Sequence, residues 1–135
     1  MALYLSSAFS PELQATELQD ERNVFWLVSV GLEVAGYVKL FAGSPGPGIR
    51  ENKALKIARL YLRQQWWSQG IGRALLNLCM DYGREKGFAA LWLTVWSENK
   101  GALKLYQETG FRIVGQEDFI LGRDVQLDFI MEKQL

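Results

Sequence analysis

The stretch that decides the fold runs Leu60-Tyr61-Leu62, then Ser68-Gln69-Gly70-Ile71-Gly72-Arg73-Ala74-Leu75-Leu76, then Leu93-Thr94-Val95, Asn99, Tyr106 and Gly110-Phe111. Ala54 to Leu62 reads as a strand. Ile71, Ala74, Leu75, Leu78 and Tyr82 then fall at helical spacing on one face, so a helix of about four turns follows. It ends at Gly87, with Arg84 and Lys86 in the last turn, where the helix dipole favours cations. Ala89 to Trp96 reads as a second strand, and Asn99 to Thr109 as a shorter helix closed by Gly110. Strand, helix, strand with short joints demands a right-handed crossover and therefore a parallel strand pair.

Outward from that unit, Val24 to Val30 and Val34 to Phe41 are β-branched and aromatic runs around Gly31, Leu32 and Glu33, which predicts an antiparallel hairpin. Ala42 to Lys53 is rich in Gly and Pro and reads as a loop. Ser10, Pro11 and Glu12 start a short helix that runs to about Asp20, with a capping hydroxyl, a first-turn proline and an acid facing the dipole. Phe111 to Glu117 and Val125 to Glu132 are closing strands paired across Gly122 to Asp124. The sum is an α/β fold: a mixed, mostly antiparallel sheet with a central parallel pair, flanked by helices. Residues 1–135 read as a single domain.

A chain of 135 residues buries about two thirds of the surface its unfolded form exposes, so a core is within reach without a staple. The lone Cys79 excludes an intrachain disulfide, and without a leader or a long apolar run the chain is expected to be soluble and cytoplasmic, away from membranes. Fifteen basic and fifteen acidic residues cancel, so no global field recommends nucleic acid or anionic lipid as a partner. The absence of histidine removes a His-containing triad, a His-based metal site and an imidazole base together. Charge is nevertheless unevenly spread. Between Glu51 and Asp81 no carboxylate occurs, whereas Lys53, Lys56, Arg59, Arg63 and Arg73 all do, as suits an anionic ligand near the helix start.

At that start the amides of Gly70, Ile71, Gly72 and Arg73 lack intrahelical acceptors and stand at the positive end of the dipole. Two glycines let a diphosphate approach without a Cβ in the way. The bland alternative is a helix-initiating turn with no ligand. A dinucleotide fingerprint needs a third glycine where Leu75 stands, and a P-loop needs Gly-Lys-Ser or Gly-Lys-Thr, which the chain lacks. Asn99 and Tyr106, close to two helical turns apart, share a helix face about 10 Å apart along the axis. An elongated ligand against that helix meets both. Taken singly, Asn99 reads as an N-cap and Tyr106 as a core ring with a hydrogen-bonded hydroxyl. Trp66, Trp67, Trp92 and Trp96 read as core or interface packing, or as the lining of a ligand channel, and Cys79 as core.

In order and spacing, Leu60-Tyr61-Leu62, Gln69 to Leu76, Leu93-Thr94-Val95, Asn99, Ala102, Leu105-Tyr106 and Gly110-Phe111 resemble the acetyl-CoA-binding core of the GNAT superfamily of N-acetyltransferases. The resemblance implies that Leu60, Tyr61 and Leu62 offer strand backbone to the pantetheine arm. It implies that Ser68, Gln69, Gly70, Ile71, Gly72 and Arg73 cradle the pyrophosphate, that Asn99 holds the pantetheine or acceptor end, and that Tyr106 faces the thioester sulfur. The implied activity is acetyl transfer from acetyl-CoA to a primary amine without a metal; the alternative is a non-catalytic CoA-binding sensor or structural subunit. The tail Phe119 to Met131 looks like that of bacterial spermidine/spermine and diamine N-acetyltransferases, which makes a polyamine a lead for the acceptor.

An alkylamine near pKa 10.4 is about one part in a thousand neutral at pH 7, so binding its free base costs roughly 4 kcal/mol unless a base accepts the proton. The chain departs from the family where that base is usually sought, with Lys56 and Ala58 on the strand that commonly carries Glu. Glu98, Glu117, Asp118, Asp124 and Asp128 remain as candidates. Trp67 replaces the Gln or Arg that usually opens the phosphate turn. By the same comparison a first strand and helix are missing ahead of Leu3, which leaves a sheet edge without cover and predicts a homo-oligomer.

Overall fold

The computed structural model describes residues 3–7, 22–43, 48–49 and 53–135. Seven strands form one sheet: β1 (Leu3–Ser7), β2 (Asn23–Val30), β3 (Glu33–Phe41), β4 (Ala54–Leu62), β5 (Ala90–Trp96), β6 (Arg112–Leu121) and β7 (Asp124–Gln134). Two helices, α1 (Ile71–Glu85) and α2 (Lys100–Glu108), follow β4 and β5, and a 3-10 turn spans Gln64–Trp66. The strand order is β1-β2-β3-β4-β5-β7-β6, parallel between β4 and β5 and antiparallel elsewhere. The predicted mixed sheet, its crossover and both helices are therefore present. Leu3–Ser7, to which the sequence reading assigns no element, pairs along the outer side of β2. The helix expected over Ser10 to Asp20, and much of the loop expected between Ala42 and Lys53, lie outside the described residues.

Two tight turns set the hairpin registers. Gly31 (φ +60°) and Leu32 join β2 to β3, and Gly122 (φ +61°) and Arg123 join β6 to β7. Left-handed backbone at these loop positions is where glycine costs least. β6 runs past the expected Glu117 to Leu121, because Phe119, Ile120 and Leu121 continue the ladder opposite Gln126, Val125 and Asp124.

The main core lies between one sheet face and the helices. Val38, Leu40, Leu55, Leu91 and Met131 meet Leu75, Leu76 and Cys79, all essentially inaccessible. The buried stripe of α1 is Ile71, Leu75, Leu76, Cys79 and Met80, rotated from the predicted one; Ala74, Leu78 and Tyr82 are only half-buried. The opposite face carries a smaller cluster of Ala54, Ala90, Trp92 and Ile130. Among the described residues no helix is long and apolar enough to cross a membrane.

One feature of the sheet positions the site. The parallel ladder between β4 and β5 covers only Ala54, Leu55 and Lys56 against Ala90, Leu91 and Trp92. Beyond it β4 continues on β3 alone, after a register shift between Lys39 and Leu40, and β5 continues on β7 alone. The inner edge of β4 near Leu60 to Leu62 thus faces β5 without ladder bonds.

Candidate active site

From the end of β4 the chain turns over the start of α1. The Arg63 amide donates to Ala35 O at 2.7 Å, the Trp66 amide to Arg63 O at 2.9 Å, and Gln69 Nε2 to Gln65 O at 2.9 Å. Ser68 (φ +60°) and Gly70 (φ +80°) are both left-handed, and Gly70 leads directly into the right-handed first turn of α1. Gly70 caps α1 without a side-chain bond, and the first turn holds no acid. The first helical bond runs from the Ala74 amide to Gly70 O, so the amides of Ile71, Gly72 and Arg73 precede the ladder. They open beside a cavity of about 480 Å³ lined by Leu62, Trp66, Trp67, Ser68, Gly70, Gly72 and Arg73, and by Gly101, Ala102 and Leu105 of α2.

Of the residues singled out from sequence, Leu62, Ser68, Gly70, Gly72 and Arg73 meet at this cavity. Ile71 is buried in the core, and Gln69 holds the preceding turn. Leu60 packs against the core, while the half-exposed Tyr61 ring sits 5.8 Å from that of Tyr37. Asn99 caps α2, its side chain accepting from the Ala102 amide at 3.2 Å. Tyr106 lies beside Ala102 and Leu105 on α2 rather than on the cavity lining, with its ring 5.8 Å from Phe111 in edge contact. Burial raises its phenol pKa above the ordinary value, and the nearby Cys79 adds to the push. A phenol so placed keeps its proton at neutral pH and can donate but not act as a base.

Three features were not visible in the sequence. Trp67, standing where a Gln or Arg is usual, donates its Nε1 hydrogen to Leu62 O at 2.8 Å and ties the turn back to β4. Trp66 Nε1 is buried without an acceptor at the cavity wall. Arg73 is paired with Glu108 at 2.7 Å. The walls themselves had signals: the sequence reading offers Trp66 and Trp67 as lining of a ligand channel, and both line the cavity, while helical spacing puts Gly101, Ala102 and Leu105 on the α2 wall. Lys56 lies over the Trp92 ring at 4.7 Å, and of the five candidate acids only Asp128, opposite Trp96 at the end of β5, is partly buried, the other four being exposed.

The sequence profile of the Acetyltransferase (GNAT) family matches residues 2–111. An uncharacterized N-acetyltransferase from the pepI 3' region of Lactobacillus delbrueckii subsp. lactis is 32% identical over 135 residues, all of this chain and 78% of the relative. In fold, a GNAT family acetyltransferase from Elizabethkingia anophelis with acetyl-CoA bound superposes with a TM-score of 0.73 at 17% identity, over 99% of this chain and 97% of that one. A spermidine N-acetyltransferase chimera from Vibrio cholerae and hSSAT gives 0.76 at 22% identity, over 91% and 73%. With a profile spanning most of its length and the same sheet and crossover, the chain belongs to the GNAT acetyltransferase family.

Proposed function

We propose that the chain transfers the acetyl group of acetyl-CoA to a primary amine by direct attack of the amine nitrogen on the thioester carbonyl. The observation that carries this reading is the uncapped first turn of α1, whose free amides open beside the cavity between Ser68, Arg73 and α2. A diphosphate is the anion such a helix end suits. The Leu60 to Leu62 edge of β4, apart from the Leu62 O already held by Trp67, then receives the extended arm, and the buried Trp66 N–H meets one of its amide carbonyls. Acetyl-CoA supplies an activated acyl group: the C–N bond forms, the C–S bond breaks, and the amine proton leaves to base or water. Tyr106 donates a hydrogen bond to the departing sulfur, its phenol being too weak an acid to surrender the proton outright.

Polyamines are the first acceptor class to try, supported by the tail Phe119 to Met131 and by the fold shared with a spermidine N-acetyltransferase chimera. Thiol release from acetyl-CoA should depend on an amine in a panel of spermidine, spermine, diamines, amino acids and peptide amines. Tight CoA binding with no amine-stimulated release would instead support a non-catalytic CoA-binding subunit. Calorimetry showing no association with CoA or acetyl-CoA would end both readings. We also propose a homo-oligomer: β6 is an outer strand whose distal half leaves Phe119, Ile120 and Leu121 exposed, with Val125 opposite on β7. A monomeric sedimentation profile at micromolar concentration counts against it.

A further inference from the structure

We propose a second ligand site, on the sheet face opposite the cavity, built from Glu132 and Arg112 and shaped for a small α-amino acid. Lys56 pairs with Trp92, Trp92 with Glu132 and Glu132 with Arg112, so the four form one cross-strand row. Glu132 is 3% exposed. Its Oε1 accepts from Gln134 Nε2 at 2.8 Å and lies 3.7 Å from Arg112 Nη2. Its Oε2 is buried with no hydrogen-bond partner. A concavity of about 310 Å³ adjoins it, lined by Gly48, Arg112, Ile113, Val114 and Glu132. Gly48 closes one wall, approaching β6 so nearly that a Cβ there would stand 2.7 Å from Val114 O.

Burying a carboxylate is costly unless every lone pair is met. Arg112 meets it poorly, because its side chain is 70% exposed and its approach is long. A position that served packing alone would hold an apolar side chain, as Ile130 does two residues earlier on the same face. Oε2 therefore calls for a donor from outside the chain, and an ammonium offers three N–H groups and the opposite charge. The rest of the row rejects a simple cation, since Lys56 and Arg112 flank Trp92 and Glu132. A zwitterion satisfies both conditions. Its ammonium meets Oε2, its carboxylate takes the remaining donors of the Arg112 fork, and a short apolar side chain rests on Val114, which packs on the same sheet face. The volume suits a molecule of that size.

This site is independent of the acetyl-transfer reading. Titrating the full chain with L-valine in a calorimeter should give one saturable site. Isobutylamine, which lacks the carboxylate, and isovalerate, which lacks the ammonium, should each bind at least about tenfold more weakly. Glu132→Gln and Arg112→Gln should each lose at least about tenfold in valine affinity. Arg112 is exposed enough for its variant to fold whatever Glu132→Gln does. No saturable heat with L-alanine, L-valine or L-methionine up to about 10 mM overturns the proposal, and so does full valine binding by both charge variants.

Discussion

Arg73 Nη2 donates to Glu108 Oε2 at 2.7 Å, and this contact fastens the first turn of α1 to the last turn of α2. Both side chains are about half exposed, so the pair contributes less than about 1 kcal/mol to folding. Its stronger effect is on charge, because Glu108 offsets the guanidinium nearest the open amides. A diphosphate seated there must compete with that carboxylate. Glu108→Gln should tighten CoA binding by about two- to fivefold, and Arg73→Gln should weaken it by about tenfold and flatten its salt dependence. Calorimetry at two salt concentrations checks this; unchanged affinity in both variants would place the phosphates elsewhere.

The two glycines of the turn have different reasons to be glycine. Gly70 is at φ +80° with open space around its missing Cβ, so Gly70→Ala should lower stability by about 1 kcal/mol through backbone strain. Gly72 is helical, and a Cβ there would stand 3.1 Å from Leu105 Cδ2 at the cavity wall. The leucine tip can yield, and alanine gains helix propensity, so Gly72→Ala should leave the melting temperature nearly unchanged. Its cost falls on the ligand, with CoA affinity down by about tenfold. Thermal melts beside CoA titrations separate the two effects, and a large melting shift in Gly72→Ala would refute the distinction.

What could be read from sequence was what depends on local spacing. The orphan amides at Gly70 to Arg73 follow from helix geometry alone, and the parallel β4-β5 pair follows from the length of the connection between them. The azimuth of α1 was not legible. Periodicity yields a stripe, but whether Leu76 and Met80 or Ala74 and Leu78 face inward depends on how α2 and the sheet divide the helix surface. The Arg73-Glu108 pair spans 35 residues and exists only because the crossover brings two helix ends together. The sequence reading ends the sixth strand at Glu117, whereas pairing with β7 carries it on to Leu121. Glu132 gave no signal, since an acid near a chain end ordinarily reads as solvated.

Alkaline pH should expose the buried acids of the core. Cys79 is inaccessible on α1, and burial raises its thiol from 9.0 to about 12; Tyr106 shifts in the same direction. The folded state holds these protons while the unfolded chain releases them, so the associated stability is intact below about pH 9 and is lost as pH rises toward about 12. For Cys79 the full loss is about 4 kcal/mol. Urea unfolding at about pH 8, 9 and 10 should show a falling midpoint. Cys79→Ala should be less stable at neutral pH but decline less steeply. A wild-type midpoint that stays level over that range would contradict the burial of the thiol.

Tyr106→Phe tests the chemistry most directly, because it removes one oxygen and keeps the ring that packs on Phe111. If the phenol donates to the leaving sulfur, kcat should fall by at least about tenfold while the KM for acetyl-CoA changes little. The shape of the pH profile adds a second readout. The burial-raised phenol stays protonated through the working range, so the wild-type rate should climb as the amine loses its proton, with no downturn below about pH 10. The variant should follow a parallel curve at a lower level. An unchanged kcat would remove Tyr106 from the reaction, and a wild-type downturn near pH 8 would assign proton donation to a different acid.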